Sequence, residues 1–234
     1  MVEFFIDSSD IKEIKEMASW NIISGVTTNP KILSSDKVEN IEERIKEIAD
    51  VVDGPISVEV FSEDVEEMIA EAKKYSKWHP NVIIKVPMLG GDSLKTMKEL
   101  NSRNIKINAT ACMSSNQAVA AALAGADYIS FFYGRIGDCG YDPFIVIKET
   151  AEVFKNSPKL KKTKIIIGSM RSVLDVNRSI MAGADIITIT PPILRRLVVN
   201  AKTTETIKEF EDSWKKFKEE EIDQLTKRIE QLKS

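Results

Sequence analysis

The stretch Val82-Ile83-Ile84-Lys85-Val86-Pro87 decides the fold of this chain. Five of its six residues are apolar and a proline ends it, which predicts a strand buried on both faces, as in a parallel sheet. A lysine lies inside this strand. A buried ammonium is costly without a partner, and burial favours the neutral amine, which is a nucleophile. The ordinary alternative is a lysine whose aliphatic stem packs while its charged head reaches water.

The composition fits one large α/β domain and argues against several kinds of function. The chain has 234 residues, of which 43% are hydrophobic and 29% charged. A net charge of -3 gives no basic patch for nucleic acid, and no apolar run is long enough to span a bilayer. The first residues do not have the pattern of a signal peptide, and Cys112 and Cys139 have no metal-type spacing. We therefore expect a cytoplasmic protein without disulfides, metal or cofactor, and without nucleic-acid or membrane partners.

The chain contains one histidine, His79, which stands beside Pro80 at a predicted helix end. A Ser-His-Asp or Cys-His pair is therefore excluded unless His79 itself is the base. A zinc site built on several histidines is excluded as well. An enzyme of this composition has to use lysine, carboxylates and hydroxyl groups.

Short β-rich runs alternate with amphipathic helical stretches, which is typical of a parallel sheet. The predicted strands are residues 2–7, 25–29, 56–60, 82–87, 105–110, 128–132, 164–169 and 186–190. Eight strand–helix units predict a (β/α)8 TIM barrel. The competing architecture, an open doubly wound sheet, needs a glycine-rich phosphate loop after the first strand, where the chain has Asp7-Ser8-Ser9-Asp10.

The C-terminal segment has a different pattern and extends the barrel with helix. We predict a barrel domain over residues 1–203 and a tail of one or two helices over residues 204–234. Apolar residues in the tail recur at steps of three and four: Ile207, Phe210, Trp214, Phe217, and then Ile222, Leu225, Ile229, Leu232. The first four are interpreted as core or subunit packing. The second four fit either a coiled-coil-like seam with a neighbouring subunit or a solvated terminal helix.

In a barrel of this kind the active site is built at the C-terminal ends of the strands. Those ends carry Asp7, Thr28, Asn29, Glu59, Lys85, Asn108, Thr110, Ser130, Phe132 and Ser169, and most of these are polar groups that a buried strand does not need. Because these polar residues are expected to surround Lys85, we favour a nucleophilic Lys85 over a lysine whose charged head reaches water. Such an amine can condense with a ketone, and the protonated imine accepts the electrons of an adjacent breaking carbon–carbon bond. Asp7 and Glu59 are the carboxylates available to move protons, and Thr110 can position a water.

Two arginines stand just beyond predicted strand ends, Arg135 after the sixth strand and Arg171 after the seventh. The loop after the seventh strand of such barrels often binds phosphate. Arginine forks and the hydroxyl of Ser169 suit phosphate oxygens, so these three residues predict a phosphate site. The alternative for each arginine is a surface salt bridge.

Several motifs of the chain occur together, and in this order, in one known family. They are Phe5-Ile6-Asp7, Gly25-Val26-Thr27-Thr28-Asn29-Pro30, Val82-Ile83-Ile84-Lys85-Val86-Pro87, Gly134-Arg135-Ile136 and Ser169-Met170-Arg171. From about Phe4 to Phe217 the chain resembles the small, short-chain transaldolases and fructose-6-phosphate aldolases. We expect no counterpart in the family from about Lys218 onward.

The resemblance implies a role for each candidate residue. Lys85 would form the Schiff base, Asp7 would shuttle protons, and Glu59 with Thr110 would hold a water. The expected substrate-binding residues are Thr28, Asn29, Asn108, Ser130 and Phe132, and the expected phosphate-binding residues are Arg135, Ser169 and Arg171. Relatives form rings that often pair into decamers, so the resemblance also implies a homo-oligomer, a pentamer or a decamer.

Two positions separate the two activities of the family. Aldolases of this type have glutamine where this chain has Glu59 and tyrosine where it has Phe132. A tyrosine hydroxyl can protonate the enamine and release free dihydroxyacetone, whereas phenylalanine leaves the enamine for a second aldehyde. Tyr133, as the next residue, is expected to face the other side of its strand.

The resemblance therefore implies a transaldolase of the pentose phosphate pathway. Such an enzyme moves a dihydroxyacetone unit from sedoheptulose 7-phosphate to glyceraldehyde 3-phosphate, which gives erythrose 4-phosphate and fructose 6-phosphate. The alternatives are a fructose-6-phosphate aldolase that releases dihydroxyacetone and a catalytically silent barrel that binds sugar phosphates.

Overall fold

The computed structural model of the protein describes residues 2–233. In this part of the chain the strands are β1 (Glu3–Asp7), β2 (Ile23–Thr27), β3 (Ile56–Glu59), β4 (Val82–Pro87), β5 (Ile107–Cys112), β6 (Tyr128–Phe132), β7 (Lys164–Gly168) and β8 (Ile186–Ile189). Every strand pairs in parallel with its neighbours in the chain, and β8 pairs with β1 to close a barrel. The predicted (β/α)8 TIM barrel is confirmed.

The helices lie between and after these strands. They are α1 (Ile11–Ala18), α2 (Pro30–Ser35), α3 (Ile41–Ala49), α4 (Val65–Tyr75), α5 (Gly91–Ser102), α6 (Ser115–Leu123), α7 (Tyr133–Asp138), α8 (Pro143–Asn156), α9 (Val173–Ala182), α10 (Pro191–Leu197) and α11 (Ala201–Lys233). None of the helices within residues 2–233 combines the length and the hydropathy that a membrane span requires.

Two short helices, α2 and α7, begin directly after strand ends where the sequence pattern gives no helical signal. Pro30, which follows the predicted end of the second strand, is the first residue of α2. The side chain of Asn29 caps this helix by accepting a hydrogen bond from the backbone N–H of Ile32 at 3.0 Å. The second strand accordingly ends at Thr27, two residues before the predicted end.

The strand β4 is buried along its length, as its apolar sequence predicts. Residues 82–86 are all buried, and Pro87 is partly buried. Its register with both neighbours sets Glu59 of β3, Lys85 of β4 and Asn108 of β5 side by side. Three polar side chains from adjacent strands therefore meet near the C-terminal end of the barrel.

The chain divides into two compact units, one up to Leu194 and one from Arg195 onward. The second unit consists mainly of α11, so the segment predicted as one or two helices is one helix. Its eight predicted apolar residues are all at least half exposed on that helix. The domain limits at residues 203 and 204, and a role of the tail in packing or oligomerisation, stay predictions.

Candidate active site

The C-terminal ends of the strands surround a cavity of about 500 Å³. Most of the predicted site residues line it: Asp7, Asn29, Glu59, Lys85, Ser130, Phe132, Arg135 and Ser169. Thr28, Asn108 and Thr110 are fully buried and do not form part of this lining. Arg171 also stands outside the lining, and it is exposed.

Lys85 is only 4% exposed, and its amine has two polar partners. Its Nζ lies 3.2 Å from Oε2 of Glu59 and donates a hydrogen bond to the backbone carbonyl of Thr28 at 3.0 Å. Thr28 directly follows Thr27, the last residue of β2. The head of the lysine thus lies inside the protein at the cavity, and does not extend into bulk water.

A second carboxylate, Asp7, faces the same cavity from β1. Burial raises the pKa of Asp7 above its ordinary value, and the charge of Glu59 adds to the increase. The charge of Lys85 and the hydrogen bond from Thr27 act in the opposite direction and are together not enough to cancel it. Asp7 is therefore better suited than an exposed aspartate to hold and release a proton beside the lysine.

A buried amide links three strands below the lysine. Ser130 of β6 donates a hydrogen bond to Oδ1 of Asn108 at 2.7 Å, and Nδ2 of Asn108 donates to Oγ of Ser57 at 3.2 Å. Ser57 was not predicted as part of the site. It stands two residues before Glu59 on β3 and so shares its face, which is the signal that could have identified it.

Thr110 is fully buried, and its hydroxyl has no hydrogen-bond partner among the residues that the structure describes. An unpaired buried hydroxyl costs about 1–3 kcal/mol. Such a group is usually satisfied by a water or a ligand. The predicted role of Thr110 in holding a water fits this unpaired hydroxyl.

Three further threonines, Thr27, Thr188 and Thr190, line the cavity and were not predicted from the sequence, and two of them connect to Asp7. Thr27 donates a hydrogen bond to Oδ1 of Asp7 at 2.7 Å, and its hydroxyl lies 2.5 Å from that of Thr188 on β8. Thr188 interrupts the apolar run Ile186-Ile187-Thr188-Ile189, as Lys85 interrupts its own strand. That interruption is the signal that could have identified it.

The outer rim of the cavity carries the predicted phosphate residues. Arg135 lies on helix α7, just beyond the end of β6 as predicted, and Ser169 has a left-handed backbone with φ of 59°. Arg171 forms a two-pronged pair with the carboxylate of Asp138, in which Nη1 lies 2.7 Å from Oδ1 and Nη2 bonds Oδ2. The hydrogen bond from Arg171 lowers the pKa of Asp138. The salt-bridge alternative for Arg171 is therefore the arrangement found in this structure.

Gly134 makes the position of Arg171 sterically available. A Cβ atom on this glycine would lie 2.5 Å from Nε of Arg171 and 2.9 Å from the carbonyl oxygen of Ser169. The backbone N–H of Gly134 also donates to that carbonyl at 3.1 Å. A larger residue here would displace the arginine or the Ser169 turn.

The two aromatic residues at the junction of β6 and α7, Phe132 and Tyr133, lie in different environments. Phe132 lines the cavity, whereas Tyr133 is buried and is not part of the lining. Burial raises the pKa of Tyr133, and the charged groups that act on it are Arg178, Asp175 and Asp142 of α9 and the start of α8. Tyr133, unlike Phe132, therefore does not contribute to the cavity wall around Lys85.

Two further observations concern the side chains within residues 2–233. No group of three or more histidine, cysteine, aspartate or glutamate side chains in this range is arranged to hold a metal ion. Burial raises the pKa of the Cys112 thiol to about 12, so this cysteine is not a thiolate nucleophile at neutral pH. The fold and the site together define a (β/α)8-barrel enzyme that acts through a lysine Schiff base.

Comparison with known proteins gives the family within this class. The profile of the transaldolase/fructose-6-phosphate aldolase family matches residues 4–233, and the chain belongs to that family. The profile match continues to residue 233, so it extends past Lys218 into the C-terminal helix.

Relatives with curated names agree with this family. The probable transaldolase of Carboxydothermus hydrogenoformans is 43% identical over 93% of this chain and 100% of its own length. The probable transaldolase of Caldicellulosiruptor saccharolyticus is 42% identical over 92% of this chain and 98% of its own length. The probable transaldolase of Parvibaculum lavamentivorans is 40% identical over 92% of this chain and 97% of its own length.

Proposed function

We propose that this protein is a class I transaldolase that transfers a dihydroxyacetone unit between sugar phosphates. The donor is sedoheptulose 7-phosphate and the acceptor glyceraldehyde 3-phosphate, with erythrose 4-phosphate and fructose 6-phosphate as products. One observation carries the proposal: the buried amine of Lys85 lies beside Glu59 in a cavity whose described lining includes Phe132 and no tyrosine. This combination supports imine formation without a nearby phenol to quench the enamine.

The reaction begins when the amine of Lys85, after losing a proton, attacks the ketone carbon of the donor. The carbinolamine then loses water and becomes a protonated imine. Glu59 is suited to take and return protons in this step because its carboxylate lies 3.2 Å from Nζ. Thr110 can hold the water that leaves and later returns, because its hydroxyl has no partner within residues 2–233.

Cleavage follows at the bond between the third and fourth carbons of the donor. Asp7 removes the proton of the hydroxyl on the fourth carbon, the first aldehyde leaves, and the bonding electrons flow into the imine to give an enamine. The raised pKa of Asp7 suits this exchange, since the same group returns a proton to the new hydroxyl when the acceptor aldehyde adds. Hydrolysis of the second imine releases the product.

The remaining predicted residues bind the substrate. Asn29 and Ser130 contribute polar groups to the lining, and Asn108 is held behind Ser130 by their 2.7 Å hydrogen bond. Thr28 acts through its carbonyl on Lys85. Arg135, Ser169 and Arg171 bind the phosphate at the rim, and Arg171 exchanges the carboxylate of Asp138 for the phosphate as it does so.

The proposal extends to the setting of the enzyme. It works in the cytoplasm, in the pentose phosphate pathway, as a homo-oligomer of five or ten subunits to which residues 204–234 contribute. The exposed apolar residues of α11 support an assembled state, because single helices rarely leave such a row in water. Light scattering of the purified protein tests this part, and a monomeric mass contradicts it.

A product assay with and without an acceptor aldehyde tests the function. With fructose 6-phosphate as donor, we expect little free dihydroxyacetone without acceptor and rapid transfer once erythrose 4-phosphate is added. Substantial free dihydroxyacetone without acceptor would instead identify a fructose-6-phosphate aldolase. No reaction under either condition, with no imine formed, would identify a silent sugar-phosphate-binding barrel.

A further inference from the structure

Three side chains on adjacent strands form a chain of hydrogen bonds that ends at Asp7. Thr188 of β8 and Thr27 of β2 stand on either side of β1, and Asp7 is the last residue of β1. The hydroxyls of the two threonines are 2.5 Å apart, and Thr27 lies 2.7 Å from Oδ1 of Asp7. Thr188 and Asp7 both line the cavity.

The number of hydrogens available decides which group donates in each of these two hydrogen bonds. A threonine hydroxyl has one hydrogen, and an ionised carboxylate can only accept. Thr27 therefore gives its hydrogen to Asp7, and its oxygen must accept from Thr188. The second carboxylate oxygen of Asp7 accepts no hydrogen bond from the part of the chain that the structure describes.

The packing around the two threonines suits this arrangement. Thr27 is 2% exposed and Thr188 is 6% exposed, so little water competes for their hydrogen bonds. Gly168 of β7 makes room for Thr188, because a Cβ at that position would lie 3.0 Å from its Cγ2 atom. The rotamer that directs the hydroxyl of Thr188 toward Thr27 is thus fitted to the neighbouring strand.

We propose that Thr188 is a positioning residue that acts on Asp7 through Thr27. Its hydroxyl fixes Thr27 as a donor to Oδ1, which leaves Oδ2 as the oxygen that exchanges a proton with the substrate hydroxyl. The proposal rests on the proposed function in so far as Asp7 handles that proton. Thr188 itself neither reacts nor forms a bond in the reaction.

The hydrogen bonds from Thr188 through Thr27 also influence the charge state of Asp7. The charged groups that face Asp7 are Lys85 from β4 and Glu59 from β3, and Thr27 supplies a direct hydrogen bond. A hydrogen bond to the ionised form lowers the pKa of a carboxyl, and a donor that itself accepts a hydrogen bond is a stronger donor. Loss of the Thr188 hydroxyl is therefore expected to raise the pKa of Asp7 further.

The test is a pH titration of the Asp7 carboxyl in the free protein. NMR of ¹³C-labelled aspartate measures the midpoint of this titration. Thr188→Val removes the hydroxyl and keeps the shape, and we expect its midpoint to rise by a few tenths of a pH unit. Thr27→Val removes the direct bond and is expected to raise the midpoint by about one unit. Thr188→Ser keeps the hydroxyl and should titrate like the parent protein.

A matched control comes from the same end of β8. Thr190 lines the same cavity, but its side chain forms no hydrogen bond with Asp7 or Thr27. Thr190→Val should leave the midpoint of Asp7 in place, whatever its effect on KM. In kinetics, Thr188→Val should shift the acid limb of the pH profile to higher pH, whereas a general loss of packing would lower the rate at every pH.

The outcomes separate this inference from the proposed function. A parent-like midpoint in Thr188→Val, or an equal shift in Thr188→Ser, would overturn the role of Thr188. The titration needs no substrate, so its result stands even if the parent protein transfers no dihydroxyacetone. Circular dichroism melts of each variant identify any that fail to fold, and if Thr188→Val fails, Thr188→Ala, which also lacks the hydroxyl, takes its place in the titration and the pH profile.

Discussion

The inner and outer halves of the cavity are built in different ways. In the inner half, Lys85 is 4% exposed and is held by Glu59 and the carbonyl of Thr28. The outer half includes the rim, where Arg171 stands outside the cavity lining; its side chain is 59% exposed and is paired with an aspartate that is itself exposed. The inner groups are fixed by strands on every side, whereas the outer groups lie on a short helix and a loop.

This difference in burial predicts how substitutions in each half change catalysis. A buried group stays in one geometry because the barrel leaves it few alternatives, which is what a reacting centre requires. An exposed arginine is screened by water and can change partners at little cost. We therefore expect substitutions to have large effects on the rate in the inner half, and smaller, substrate-dependent effects in the outer half.

Replacing Lys85 tests the inner half most severely. Lys85→Ala removes the amine that forms the imine and is expected to abolish turnover with every donor. Lys95→Ala is the matched control, because Lys95 is an exposed lysine on α5 that pairs with Asp92. Steady-state assays of both variants make the measurement, and activity of Lys85→Ala within about tenfold of the parent would contradict the assignment.

Thr110→Val separates function from stability in the inner half. The hydroxyl of Thr110 is buried without a partner in the described residues, so we expect the free energy of unfolding to stay the same or rise by about 1 kcal/mol. Turnover is expected to fall by about tenfold or more, because the water that we propose between Glu59 and Thr110 would lose one of its two contacts.

Thr96→Val is the control for that prediction. Thr96 is buried and donates a hydrogen bond to the backbone carbonyl of Asp92 at 3.0 Å, away from the cavity. Its loss should lower stability by about 1 kcal/mol and leave turnover in place. Chemical denaturation gives the first quantity for both variants, and a Thr110→Val protein that is both less stable and fully active would refute the prediction.

Arg171→Ala addresses the outer half through the substrate. We expect KM for a phosphorylated donor to rise by about tenfold, because a charge-assisted contact to phosphate is lost. The kinetics with unphosphorylated ketoses should change little. Arg178→Ala, which removes an exposed arginine that pairs with Asp142, is the control. An equal loss on phosphorylated and unphosphorylated donors would argue against a phosphate role for Arg171.

Asp138→Asn is expected to have the smallest effect. The carboxylate of Asp138 competes with phosphate for Arg171, so its removal should lower KM for phosphorylated donors, by less than about fivefold because exposed ion pairs are weak. The effect should shrink further at high salt. A rise in KM instead would indicate that Asp138 holds the arginine in its binding position.

In the inner half the sequence pointed to residues that the structure brings together, because buried polar residues stand out against apolar strands. The lysine in Val82-Ile83-Ile84-Lys85-Val86-Pro87 is conspicuous for this reason. Parallel strands also end at the same edge of a barrel, so seven of the ten residues at the predicted strand ends line the cavity. Thr188 and Ser57 carried the same signal more weakly, because a hydroxyl inside a strand is common and cheap to bury.

The outer half could not be predicted in the same way. Helix α7 begins directly after β6 without a capping side chain, so no local signal marks its start. The partner of Arg171 is 33 residues away in the chain, and only the packing over Gly134 brings the two together. The tertiary structure determines which surface charges form ion pairs. The spacing of charged residues along a sequence does not reveal those pairs.

Borohydride trapping followed by mass spectrometry tests the central claim most directly. The protein is incubated with fructose 6-phosphate, reduced and digested, and the peptide that contains residue 85 is compared with the same peptide from Lys85→Ala. We predict a stable adduct of the dihydroxyacetone unit or of the donor on Lys85. An unmodified Lys85, or an adduct on another lysine, would contradict the account.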